Sequence, residues 1–189
     1  LKLYPVCRWA QPAVEAVLNL QKEHNFHFKD IEKISINTFH EAKRLEKKHP
    51  LSTEEAQYSL PHPVAVALIF GKIGAKEVSN PCINNTDVAY LREKINVCEK
   101  TEYNDSFPEK RFADAEIKLN SGQTFISKTT EAKGDPENSL SDFELKNKFK
   151  DLTLDVLGED RSSKIYNKVS NLKTSSNVDD LFKLIADPI

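Results

Sequence analysis

The sequence predicts an α+β fold: a small mixed or antiparallel sheet of about four strands with helices packed on it. Three observations predict it. β-branched residues alternate with polar ones at 31–39 and 95–101, and two further alternating segments at 112–119 and 124–129 flank a short Asn-Ser-Gly-Gln gap. Between and after these segments, apolar residues recur at helical spacing. The 189 residues are 39% hydrophobic and 30% charged with only 5 Gly and 9 Pro, an ordinary globular composition with enough chain for one good core or two small ones.

Gln11 to Asn25 reads as an amphipathic helix, with Pro12 in the first turn, where its missing N–H is not needed, and Val14, Val17 and Leu18 on one stripe. Ile31 to Phe39 is a strand, in which Ile34 and Ile36 alternate with Ser35 and Asn37. His40 to Lys48 is a short helix or a solvated loop, ended by Pro50. Ser52-Thr53-Glu54-Glu55 is a helix-start signature. Leu60 to Phe70 is apolar all round; Pro61 and Pro63 before it and Gly71 after it favour a buried helix over a strand. Ala75 to Val78 reads as a small helical turn, Asn80 to Asn85 as punctuation, and Thr86-Asp87 as the opening of a short helix to Lys94.

Ile95 to Thr101 is the second strand, and Asn104 to Glu109 a loop. Phe112 to Leu119 and Thr124 to Thr129 form a hairpin, with Ala113, Ala115, Ile117 and Leu119 facing one way. After a Gly/Pro/Asp loop at 130–139, Ser141 with Glu144 three residues on makes a capping box. Phe143, Leu145, Phe149, Leu152, Leu154 and Val156 are expected to mark the core side of that helix, which stops at Gly158. Further helices follow at 162–172 and after the Asn177-Val178-Asp179-Asp180 cap.

Composition excludes several classes. A net charge of −2 supplies no global basic field, so nucleic acid is not an expected partner. No apolar run is long enough to span a bilayer, so neither is a membrane. Cys7, Cys82 and Cys98 are odd in number and widely spaced, which points to neither a disulfide framework nor a zinc site and fits a reducing, cytoplasmic compartment. The histidines lack metal-ligand spacing, and no metal is expected. The chain begins with Leu1 and has no Met, which reads as the C-terminal part of a longer polypeptide.

Two stretches carry the candidate chemistry. Lys2 to Arg8 runs into the helix at Gln11, and Tyr58 to Ala65 runs into the apolar helix. Helix N-termini favour anions, so these openings, with Lys2, Arg8 and His62 nearby, are expected to floor a polycarboxylate pocket. Arg8 suits a two-pronged hydrogen bond to a carboxylate, and His62 suits proton donation near neutral pH. The plainer readings are a solvated Lys and Arg, a capping or packed His62, and a buried Cys7.

The same stretches resemble the C-terminal domain of the MmgE/PrpD family. Lys2-Leu3-Tyr4-Pro5-Val6-Cys7-Arg8 followed by Gln11-Pro12-Ala13-Val14-Glu15-Ala16 is similar to its opening. Ile31-Glu32-Lys33-Ile34 resembles its first strand, and Ser59-Leu60-Pro61-His62-Pro63-Val64-Ala65 its SLP helix. Lys133-Gly134-Asp135-Pro136-Glu137-Asn138-Ser139-Leu140-Ser141 resembles its loop before the next helix. The resemblance implies an α+β lid that works with an all-helical N-terminal domain of the same polypeptide, in a homodimer, cytoplasmic or in the mitochondrial matrix. It implies cofactor-free chemistry next to a carboxylate: dehydration of 2-methylcitrate or a related tricarboxylic acid, or else decarboxylation or epimerisation. A non-catalytic ligand-binding or interaction module is the alternative from a different class. Lys2 and His62 are then expected to be catalytic, with Arg8, Tyr4 and Ser59 binding substrate. Three positions depart from the family: position 11, often His, is Gln here, which puts an acid–base role at that spot in doubt; position 62, commonly Tyr or another residue, is His; and position 139, usually Pro, is Ser.

Overall fold

The computed structural model describes residues 1–174 and 177–186, which divide into two compact units, Leu1–Asn138 and the residues from Ser139 onward.

The first unit holds the sheet and the main core. Helix α1 spans Gln11–His24, with Pro12 in its first turn and Asn25 in the left-handed region (φ 51°) closing it through a 2.8 Å N–H bond to Gln21 O. Strand β1 follows at Ile31–Thr38, then the single-turn helix α2 at His40–Lys43. Helix α3, Thr53–Gln57, starts where Ser52 accepts the Glu55 N–H at 3.3 Å. Helix α4, Pro61–Phe70, has every residue from Pro61 to Leu68 buried and ends at Gly71 with φ 69°, the left-handed cap that glycine adopts without a Cβ penalty. A 3₁₀ turn at Lys76–Val78 precedes α5 (Asn80–Ile83) and α6 (Thr86–Glu93), the latter capped by Asn85, which accepts two N–H groups. Strand β2 (Ile95–Glu99), helix α7 (Thr101–Ser106) and strands β3 (Phe112–Leu119), β4 (Thr124–Ile126) and β5 (Thr130–Glu131) complete the unit.

The sheet is mixed, in the order β2-β1-β3-β4, with β5 also on β3. β1 pairs in parallel with β2, Ile34 facing Ile95 and Ile36 facing Val97, and antiparallel with β3, Ile36 facing Ala115. These apolar pairs, with Ile117, are buried, while Ser35 and Asn37 on the opposite pleat stay partly exposed. α1 packs on β3 and on α4, and α4 on α6; a bond from Gln21 Nε2 to Leu68 O, 2.9 Å, ties α1 to α4. The α+β class and the mixed sheet are as the sequence predicts. Two short helices are not: α5 replaces the punctuation expected at 80–85, and α7 begins before and overlaps the loop expected at 104–109. Segments of four to six residues carry too little periodicity to be read. The second hairpin strand is also shorter than expected. It ends at Ile126, and the chain re-pairs with β3 only at Thr130–Glu131.

In the second unit, α8 runs from Asp142 to Ser170 and α9 from Asp179 to Ala186. The Ser141–Glu144 capping box forms, and Gly158 (φ 73°, ψ 168°) breaks the helical path at the expected place. The expected core stripe does not hold: Phe143 is 71% and Leu152 60% exposed, and Leu154 and Val156 are exposed too. Only Ser162 and Ile165 of α8 are buried. Leu145, Phe149, Leu152 and Val156 share one face of the helix while Phe143 and Leu154 lie opposite, and a unit of about fifty residues has little interior to offer either face.

Candidate functional site: a cationic cleft

A cleft of about 370 Å³ in the first unit is lined by Leu1, Lys2, Arg8, Trp9, Arg111 and Asp135. Arg8 sits in the 3₁₀ turn that leads into α1, and Arg111 immediately precedes β3. Asp135 lies in the loop after β5, where Gly134 takes φ 101°. Three cationic side chains and one carboxylate therefore face the same space, beside the amino group of Leu1, which donates to Gly134 O.

The three cations are not equivalent. Arg8 is tied into the protein: Nη1 donates to Gln11 Oε1 (3.1 Å) and to Lys133 O, and Nη2 to Ala132 O (3.3 Å) and Asp135 Oδ2 (2.5 Å). That guanidinium holds the Asp135 carboxyl below its usual range, with Arg111 adding to the effect. Lys2 makes no hydrogen bond or ion pair among the described residues, and nor does Arg111. The Arg111 guanidinium instead lies 5.9 Å from the Phe107 ring, a cation–π contact that leaves its N–H groups for other acceptors. Phe107 stacks on Phe39 (4.9 Å between centroids), and Trp9 meets both rings edge-on at 6.1 and 6.3 Å. The cleft wall is thus backed by an aromatic cluster that joins residues from three separate parts of the chain.

His62 stands elsewhere. It has no accessible surface, and both ring nitrogens are taken: Nε2 lies 2.9 Å from Glu77 O and Nδ1 3.2 Å from Arg92 Nη1. A buried arginine is always a donor, so Nδ1 accepts and the Nε2–H donates to Glu77 O, the neutral tautomer. Burial first, with the Arg92 charge adding to it, pushes the imidazole down to about 4. Burial likewise pushes the neighbouring Cys82 thiol up to about 11, which makes it a poor nucleophile.

A larger groove of about 700 Å³ lies between α8 and α9 in the second unit. Of its three lysines, Lys164 and Lys168 are paired with Asp160 (2.6 Å) and Asp180 (2.9 Å), which among the described residues leaves Lys183 for an anion, against both Lys2 and Arg111 in the smaller cleft. Among the described residues no group of three His, Cys, Asp or Glu side chains could hold a metal ion, and no helix is long and apolar enough to cross a membrane.

The family model of the MmgE/PrpD C-terminal domain matches residues 4–174. The chain belongs to the MmgE/PrpD family. Curated relatives include the 2-methylcitrate dehydratase of Escherichia coli O157:H7, 35% identical over 118 residues, and that of Escherichia coli K12, 33% over 116. A third is the 2-methylcitrate dehydratase of Salmonella typhimurium LT2, 34% identical over 119 residues. Each match covers 57% of this chain and 24% of the relative, so the aligned stretch spans about a quarter of those proteins.

Within this MmgE/PrpD domain, the structure brings together Lys2 and Arg8 of the five expected site residues. It does not bring the other three to the cleft. His62 and Ser59 are fully buried; Ser59 Oγ donates to Lys47 O (2.7 Å) and accepts the His62 N–H (3.0 Å), which anchors the start of α4. The Tyr4 hydroxyl donates to Glu15 Oε1 at 2.7 Å, on α1. The expectation of one floor built from two helix openings is therefore corrected: a wholly apolar helix such as α4 buries its first turn along with the rest. Arg111, Trp9 and Asp135 were missed. The Gly134-Asp135-Pro136 turn was visible as a loop, but nothing local marks Arg111, which only the path of β3 brings beside Lys2.

Gln11 also gains a role. It is 1% exposed, accepts from Arg8, and donates from Nε2 to Tyr4 O and Val6 O, both at 3.2 Å. The amide folds the Lys2–Arg8 segment back onto α1, a task that needs both a donor and an acceptor. Gln11→Ala is expected to lose about 1–3 kcal/mol of stability through these unsatisfied partners; a urea midpoint equal to wild type would contradict it.

Proposed function

We propose that this chain is the α+β part of a cofactor-independent lyase acting on a polycarboxylate, with dehydration of 2-methylcitrate or a related tricarboxylic acid as its reaction. The observation that carries the proposal is the pair Lys2 and Arg111, two cations facing one cleft with no hydrogen bond or ion pair of their own among the described residues. Dehydration next to a carboxylate removes a proton from carbon, places the electron pair on that carbon and its carboxylate, and expels a hydroxyl that leaves as water. Cations set in advance around the carboxylate stabilise the charge as it builds. Arg111, in cation–π contact with Phe107, offers the two-pronged geometry that a carboxylate accepts. Lys2 is the second carboxylate ligand and the donor to the leaving hydroxyl. The base is assigned to the helical portion of the polypeptide, the partner that this domain would cover. Arg8 and Gln11 shape the wall, and His62 and Ser59 hold α4 in place behind it.

Calorimetric titration of the chain with citrate and 2-methylcitrate tests the carboxylate site. Lys2→Ala and Arg111→Ala are each expected to weaken binding at least about tenfold, the size of one lost charge-assisted hydrogen bond. In the full-length polypeptide, Lys2→Ala is expected to lower turnover by at least about tenfold. No binding by the unsubstituted chain, or binding that neither substitution changes, would remove the cleft from the proposal.

A further inference from the structure

We infer that Asp135 is a specificity-determining residue: its carboxylate occupies the cleft-facing donor of Arg8 and so limits the cleft to two ligand carboxylates. The inference rests on reading the cleft as a carboxylate site. Four acceptors share the terminal N–H groups of Arg8, and three of them, Gln11 Oε1, Lys133 O and Ala132 O, belong to residues that do not line the cleft. The fourth, Asp135 Oδ2, does line it, on a side chain that is 46% exposed. Asp135 thus stands where a ligand carboxylate would meet Arg8, as a built-in ligand. With it in place, Lys2 and Arg111 are the side-chain cations that remain to engage a ligand, one for each of two carboxylates. On this side a third carboxylate would meet the Asp135 anion instead of a cation, so the third carboxylate of a tricarboxylic substrate falls to the helical portion of the polypeptide. Removing that one negative charge turns Arg8 into a third ligand, and preference shifts towards tricarboxylates.

The test compares tricarballylate with glutarate, which share a five-carbon backbone and differ by one carboxylate. Each is titrated calorimetrically into the wild-type chain, into Asp135→Asn and into Glu137→Gln. Glu137 is an exposed carboxylate two residues away; its replacement makes the same change in net charge without freeing Arg8. Asp135→Asn is expected to raise the tricarballylate-to-glutarate affinity ratio at least about tenfold, and Glu137→Gln to leave it unchanged. A ratio unmoved in Asp135→Asn, or moved equally by both variants, overturns the assignment to Asp135. If the wild type still binds glutarate through Lys2 in that case, the cleft reading survives. If no protein binds either acid, the cleft reading fails and this inference with it.

Discussion

Replacing Phe39 by Ala is expected to destabilise the protein by about 3–5 kcal/mol, the range for a buried aromatic ring that leaves a cavity. Phe39 has no accessible surface and follows directly on β1. Its ring stacks on Phe107 and takes the edge of Trp9, so its removal strips two aromatic contacts along with the burial term. The effect extends to the cleft, because Trp9 lines it and Phe107 carries Arg111. Affinity for citrate should therefore fall in the same variant, while Phe39→Leu, which refills most of the volume, recovers much of both. Urea unfolding followed by the emission of Trp9, the single tryptophan, reads stability at the site itself. A loss below about 1 kcal/mol would show that the cluster is not the packed support described above.

The second large effect is a pH dependence that runs through His62. In the folded chain the imidazole is held neutral, with its pKa pushed down to about 4 from 6.5. Protonation would place a hydrogen on Nδ1, against the Arg92 guanidinium that now donates to it. The other groups around it offer little relief. The Glu77 carboxylate is engaged by the Gly74 N–H at 2.7 Å, and the Cys82 thiol is neutral. The unfolded chain binds the proton first as pH falls, so the contribution is fully present above about pH 6.5 and is lost as pH falls through that value towards about 4. Across that window the single group is worth about 3 kcal/mol. Urea midpoints measured from about pH 7.5 down to about pH 5 should fall in the wild type. In His62→Gln, which starts from a lower stability, the midpoints should stay nearly level over the same range. Parallel pH profiles for the two proteins would show that His62 does not titrate differently on folding.

How much of this was legible in the chain depends on how far apart the cooperating residues lie. Helix ends were legible wherever one residue fixes a dihedral angle or caps a neighbour three places away. Pro12 and Pro61 open their helices, Gly71 and Gly158 interrupt the helical path, and Ser141 with Glu144 forms its box. The Asn120–Gln123 turn and the alternating faces of 31–39 and 112–119 were legible for the same reason, since a pleat repeats every two residues. The four matching stretches also sufficed to place the chain in its family before its fold was known. The parallel pairing of β1 with β2 was not legible, because about sixty residues and several helices intervene and no local pattern encodes the choice.

The candidate site divides along the same line. Lys2 and Arg8 were recognisable as cations in a segment that had to fold back onto a helix. That Arg8 is spent on Asp135 and on the carbonyls beside it, across more than a hundred residues, only the tertiary structure decided. It also decided that Arg111 joins Lys2 as a cation left open, because Phe107 supports the guanidinium without neutralising it. His62 shows the limit most sharply: its flanking prolines and apolar helix were in plain view, but burial and the donor from Arg92, thirty residues on, made it a neutral packing residue instead of a proton donor. The sequence by itself determined the longer helices and strands, the family and the charged residues available to a site. Which charges stay free was set by three-dimensional proximity, because electrostatic and hydrogen-bond energies depend on distance through space and not on separation along the chain.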